Sequence, residues 1–215
     1  MTGCTPASFE PAIDYIVVKV PRWPFDKFKN ADRTLTTAMK STGEVMAIGR
    51  TVEEAFKKSL RSLDTDIYLH TNASEIRMIL SRPTDERFAT LFDAFRAGFS
   101  VDEVAGLTNI IPFFLEKIKN IVCMEERLGQ KASDEDVRRA KTIGFTNDEL
   151  VGLTGREPGD IEAIVGNPTY KMVDTCAAEF PAKTPYFYST WEEDCEITAD
   201  ERQKVLILGS GPIRI

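Results

Sequence analysis

Along this chain the spacing of apolar residues changes from an extended period to a helical one, and the change divides it. Near the start, Asp14-Tyr-Ile-Val-Val-Lys-Val20 is a β-branched run that predicts a strand. Pro21 ends it, and Trp23, Pro24, Phe25 and Phe28 predict a turn or short helix. Glu44 to Ile48, bounded by Gly43 and Gly49, predicts a second short buried strand. Thr51 follows at once, with Glu54 three residues on, a capping box that starts a helix. Ala55, Phe56, Leu60 and Leu63 give that helix an apolar face, and Lys57, Lys58 and Arg61 are expected to keep the other face in water.

Between Asp64 and Ser74 the residues turn polar, and a domain boundary is placed there. Helix then follows helix to about Gly166. Glu75–Ser81 is ended by Pro83; Asp85–Ala97 is expected to be capped by Thr84, with Phe88, Leu91, Phe92 and Phe95 on one face and Gly98 as its C-cap. Ser100-Val-Asp-Glu-Val-Ala-Gly-Leu-Thr108 is repeated as Thr146-Asn-Asp-Glu-Leu-Val-Gly-Leu-Thr154, each with an N-cap hydroxyl and acids in the first turn. Such short helices need a packing partner. The longer helix around Pro112–Leu128 is expected to supply it, with Phe113, Phe114, Leu115, Ile118, Ile121 and Val122 in the core. Val137, Ala140 and Ile143 add a further face, and Pro158–Val165 a further short helix. Tyr186–Trp191 predicts an aromatic strand, Glu192–Glu196 a solvated acidic linker, and Lys204–Leu208 a buried parallel strand entering a Gly-rich turn.

Composition narrows the function classes. A net charge of −7 without a basic stripe argues against a nucleic-acid partner. The repeated short helix, Gly-Leu-Thr and next helix also fit a helix-turn-helix. A reading helix carrying Asp102, Glu103, Asp148 and Glu149 would repel phosphate, so a packing module is preferred. No apolar run is long enough for a membrane span and no signal peptide is evident, so no membrane partner and a cytoplasmic location are expected. Cys4, Cys123, Cys176 and Cys195 are scattered and are read as free buried thiols rather than a zinc site. His70, the single histidine, is read as a surface residue. Gly209-Ser-Gly-Pro-Ile-Arg lacks the third glycine of a dinucleotide fingerprint and the Gly-Lys of a P-loop. Glu44, held at a strand start, is read either as a partner of Lys40 or Arg50 or as a functional carboxylate.

Several stretches resemble, in order, the large subunit of carbamoyl-phosphate synthase: FEPAIDYIVVKVPRW at 9–23, MKSTGEVMAIGR at 39–50, YKMVDTCAAEF with TPYFYSTW at 170–191, and KVLILGSGPIRI at 204–215. DAFRAGFSVDEV and LTNI agree within the helical part. The resemblance implies a mainly α chain: a helical oligomerisation domain (65–200) flanked by partial α/β pieces, the end of an ATP-grasp domain (1–64) and the first strand of the next half (201–215). In the family the whole enzyme is a ligase that makes carbamoyl phosphate from bicarbonate, glutamine-derived ammonia and two ATP, for arginine and pyrimidine synthesis. It further implies that Met39, Glu44 and Arg214 line a tunnel for carbamate. Catalytic and metal residues and bound cofactors are expected outside this segment, with ATP and Mg (Mn or K as further ions) in the whole enzyme. The implied partners are the rest of the large subunit, a glutaminase small subunit, and a second copy through the helical domain. Both chain ends read as cut edges wanting strands from elsewhere. The competing reading is a freestanding helical adaptor without catalysis.

Overall fold

The computed structural model describes residues 5–28, 30–63, 69–198, 200–207 and 209, with the backbone alone of 213–214. β1 (Ile16–Arg22) and β2 (Gly43–Gly49) pair antiparallel, with Val20 opposite Val45 and Val18 opposite Ala47. The pleat sends these to one face, where Val20, Val45 and Ala47 are buried. α1 (Val52–Ser62) packs on that face. Thr51 caps it by accepting from the Glu54 N–H, while Glu54 Oε2 reaches one residue further back than expected, to the Arg50 N–H at 2.7 Å.

The polar side of α1 is only partly in water. Arg61 is exposed as expected, but Lys57 is buried and Lys58 half-buried, because the helix lies between the sheet and the bundle. Glu53 accepts from Asn120 at 3.0 Å, and Phe56 meets Phe88 edge-on, 5.5 Å between centroids. Lys58 donates to the carbonyl of Ile48 at 2.8 Å and pairs with the buried Glu54 at 2.7 Å. A polar stripe in the sequence marked hydrogen-bonding contacts here rather than solvent.

The bundle comprises α2 (Ala73–Leu80), α3 (Arg87–Arg96), α4 (Val101–Thr108), α5 (Pro112–Gly129), α6 (Asp134–Thr142), α7 (Asn147–Thr154) and α8 (Pro158–Val165). Its core runs from Ile76 and Leu80 through Phe92, Phe95, Leu115, Ile118 and Ile121 to Phe145, Leu150 and Ile161. α2 is capped by Asn72, whereas Glu86, not Thr84, precedes α3 and makes no side-chain cap. The repeat seen in the sequence extends into a pair of three-helix units, α3–α4–α5 and α6–α7–α8. Gly98 and Gly144 both take positive φ after the first helix, and Phe99 and Phe145 are both buried. Ser100 with Glu103 and Thr146 with Glu149 form full capping boxes. Thr108 and Thr154 each donate back four residues, to Val104 and Leu150. Asn109 and Gly155 are left-handed at the helix ends, and Pro112 and Pro158 begin the third helices.

After the bundle, β3 (Thr169–Met172), which the sequence reading missed, pairs antiparallel with β4 (Phe187–Thr190). β5 (Ile213–Arg214) closes the first sheet in the order β1-β2-β5, antiparallel to β2. The expected parallel strand at 204–208 is corrected accordingly: Val205, Leu206 and Ile207 are fully exposed coil, and Leu208 lies outside the described residues. No described strand pairs with that run, and an apolar strand without neighbours gains nothing by becoming extended.

Candidate functional site

Two places draw chemistry-bearing side chains together. The first is the open face of the β1-β2-β5 sheet. Pleating sends Glu44, Met46 and Ile48 to the face opposite α1, with Pro21, Lys19 and Val17 across from them. Glu44 pairs diagonally with Lys19, Oε1 to Nζ 2.7 Å, with both side chains about half exposed. Its partner is therefore neither of the two expected. Lys40 is held by Asp32 at 2.9 Å and by the Thr34 carbonyl, and Arg50 by Asp14 and by Glu192 at 2.9 Å. Those contacts hold the Asp32 carboxyl down at about 2, with Lys40 as the largest cause.

Met39, 83 % exposed, stands on the rim of a shallow groove of about 420 Å³ lined by Pro24, Phe25, Phe28, Ala31 and Lys40. Glu44 does not line that groove. The Arg214 side chain lies outside the described residues, but its backbone pairs with Gly43 and that of Ile213 with Glu44. Glu44 and the backbone of Arg214 thus meet at one end of β2, whereas Met39, five residues earlier in the chain, lies on the separate groove.

The second place is the joint around α1. Lys57 Nζ stands 4.0 Å over the Phe145 ring and 2.5 Å from Glu149 Oε1, the capping-box carboxylate of α7. Burial raises the Glu149 carboxyl, but the Lys57 ammonium and the Thr146 N–H and hydroxyl outweigh it, so it sits below the ordinary glutamate value. The first unit repeats this arrangement with α2: Arg77 stacks 4.5 Å over Phe99 and pairs with Glu103 at 3.0 Å. Each unit therefore grips a preceding helix by a cation lying between a phenylalanine and a capping glutamate. Nothing in the repeated string itself signals this, because the cations lie outside it. On the other side of the joint, Lys58 donates to the Ser189 carbonyl at 2.6 Å, and Arg50 bridges Asp14 and Glu192. Tyr15 packs against Tyr188 at 5.9 Å and donates to the Asp174 carbonyl. The β3-β4 hairpin is thereby latched to the first sheet, and part of the acidic run after it is paired rather than solvated: Glu192 with Arg50, and Glu196 with the Met172 N–H at 2.7 Å.

Other candidates resolve simply. His70 is not a free surface group; its Nδ1 lies 3.2 Å from Glu75, and its backbone N–H donates to Asp93. Cys123 and Cys195 are free and exposed, and Cys176 is half-buried, so the buried-thiol reading fails for the described cysteines. Phe113 and Phe114 are half exposed rather than core. Among the described residues, no group of three His, Cys, Asp or Glu side chains could hold a metal ion, and no helix is long and apolar enough to cross a membrane.

A duplicated three-helix bundle carried beside a partial sheet, with its joining helix enclosed by both, defines a helical linking module. Residues 44–167 match the family model described as carbamoyl-phosphate synthetase large chain, oligomerisation domain, and the chain belongs to that family. It is 74 % identical to the carbamoyl phosphate synthase large chain of Methanoculleus marisnigri, 73 % to that of Methanoregula boonei and 65 % to that of Methanospirillum hungatei. Each match covers the whole of this chain and 20 % of the relative, so the chain spans about a fifth of their length. The mainly α expectation agrees with the fold, and the matches lend the adaptor reading no support.

Proposed function

We propose that this chain serves as the linking and self-associating segment of a carbamoyl-phosphate synthase large chain, an ATP-dependent ligase. The observation that carries this is the position of α1, whose side chains are divided between contacts to the sheet and contacts to the bundle. Chemistry is assigned to the rest of the large chain, with ATP and Mg bound there, a glutaminase small subunit as partner, and the cytoplasm as location. The isolated segment is expected to show no ATPase or carbamoyl-phosphate-forming activity, and turnover in a clean assay would contradict this.

Within that reading, Glu44, Met39 and Arg214 form part of a conduit for an unstable anionic intermediate. The approach of the Arg214 backbone to the Glu44 end of β2 supports the assignment, as does the Lys19–Glu44 pair on the open face, which can exchange partners as an anion passes. Glu44→Ala in the full large chain is expected to keep partial ATPase activity while losing carbamoyl phosphate formation. If the ratio of the two activities is unchanged, Glu44 serves only the Lys19 pair.

A further inference from the structure

Four cations close to the first sheet are each held by two or more acceptors. Arg22 donates to the Trp23 carbonyl and to both oxygens of Asp26. Lys40 has the Asp32 carboxylate and the Thr34 carbonyl, and Arg50 has Asp14 and Glu192. Lys58 has Glu54 and the carbonyls of Ile48 and Ser189. Lys19, on the sheet itself, has a single acceptor among the described residues, Glu44 Oε1 at 2.7 Å. An ammonium carries three N–H donors, so two of these stay open. The pair is also isolated. Met46 stands across from Lys19 and Pro21 across from Glu44, with Val17 and Ile48 completing that face, and none of these four is charged. A half-exposed ion pair adds little to stability, so folding has small need of two charges on an otherwise apolar strand face.

We infer that Lys19 is a further residue of the conduit: it is the cation that receives the small carboxylate-like anion, with Glu44 as its resting counter-ion. The inference rests on the conduit reading above and assigns the attractive charge within it. Glu44 alone would repel a passing anion, and Lys19 alone would hold it. Paired, the two present no net charge. An arriving carboxylate takes the open N–H groups of the ammonium while Glu44 loosens, and the pair closes again behind it. Contact of this kind is favourable enough to admit an anion and weak enough to release it.

The test uses the full large chain with its glutaminase partner and measures carbamoyl phosphate formed per ATP hydrolysed. Lys19→Met and Lys19→Gln, which remove the charge, are expected to lower that ratio roughly fivefold or more, and Lys19→Arg to retain most of it. Thermal unfolding checks that each variant folds; a merely structural Lys19 would lower both activities together and leave their ratio alone. Lys19→Gln keeps a hydrogen bond to Glu44, so it reads the charge even where Lys19→Met does not fold. If the ratio is unchanged in the Lys19 variants but falls in Glu44→Ala, or falls as far in Lys19→Arg as in Lys19→Gln, this inference is overturned while the conduit reading stands. If the ratio is unchanged in all of them, Glu44→Ala included, both fall.

Discussion

Gly144 carries two constraints where its counterpart Gly98 carries one. Both take positive φ, at 99° and 85°, which costs any other residue about 1 kcal/mol. A Cβ at Gly144 would also meet Lys57 Cβ at 2.9 Å and the Glu54 backbone at 3.1 Å, whereas one at Gly98 meets nothing within 4 Å. Gly98→Ala is therefore expected to cost about 1 kcal/mol, and Gly144→Ala about 3 kcal/mol because α1 must shift as well. Urea unfolding of the two variants side by side checks the difference. Lys141 is a second residue with a measurable signature. Burial, with repulsion from Arg61, pushes its ammonium down to about 8, although Asp148 and Glu149 pull the other way and Asn147 accepts from it at 2.6 Å. Its Nζ also lies 4.5 Å over the Trp191 ring. Between about 8 and the ordinary 10.5 the unfolded chain holds more protons here than the folded one, so stability contributed at this position rises with pH across that window. Lys141→Met is expected to flatten the rise when unfolding is followed from neutral to alkaline pH.

Among the elements, the two cation–phenylalanine–carboxylate grips set how the helices dock. The Lys57–Glu149 grip is buried at its lysine, so removing Glu149 leaves an ammonium poorly solvated, while Glu149 itself is partly exposed and keeps its Thr146 donor. Glu149→Gln is expected to cost about 3 kcal/mol, Lys57→Met less, and Lys57→Arg least, since Arg77 fills the equivalent place in the first unit. Because Glu149 titrates below its ordinary value, its contribution is present above about 4.5 and is lost as pH falls through the lowered folded value. Acid unfolding curves of the parent and Glu149→Gln should converge there. The sequence carried part of this plainly. The capping boxes, the turn glycines and the repeat were legible because they are local chemistry at fixed spacing. The grips were not, because Lys57 and Arg77 come from helices outside the repeat. The expected wet face of α1 held at Arg61 but failed at Lys57 and Lys58 for the same reason: periodicity finds a polar stripe but not what is pressed against it. Phe113 and Phe114 were assigned to the core on hydrophobicity alone, and their exposure follows from which face of α5 meets the bundle, which hydrophobicity does not reveal.

For the whole molecule, the matter of interest is how far the chain returns on itself. Arg50 joins residues near both ends of the described chain, Asp14 and Glu192, and Lys58 holds Ser189 to the sheet. Arg50→Met is expected to leave the bundle intact while speeding hydrogen exchange in β3 and β4 by roughly tenfold, which mass spectrometry of the intact chain would read out; unchanged exchange would show the latch to be dispensable. Of the candidate conduit, only the order of residues was visible beforehand. The pairing of Glu44 with Lys19 depends on strand register, and the approach of β5 depends on a ladder between residues far apart in sequence.

The paired grips also bear on the order of assembly. Arg77 and Glu103 are 26 residues apart, whereas Lys57 and Glu149 are 92 apart. The nearer closure loses less chain entropy, so α2 is positioned to occupy the first groove before α1 can stray into it. Duplication created two look-alike receptors in one polypeptide, and the short tether to one of them keeps the late-arriving helix from choosing wrongly.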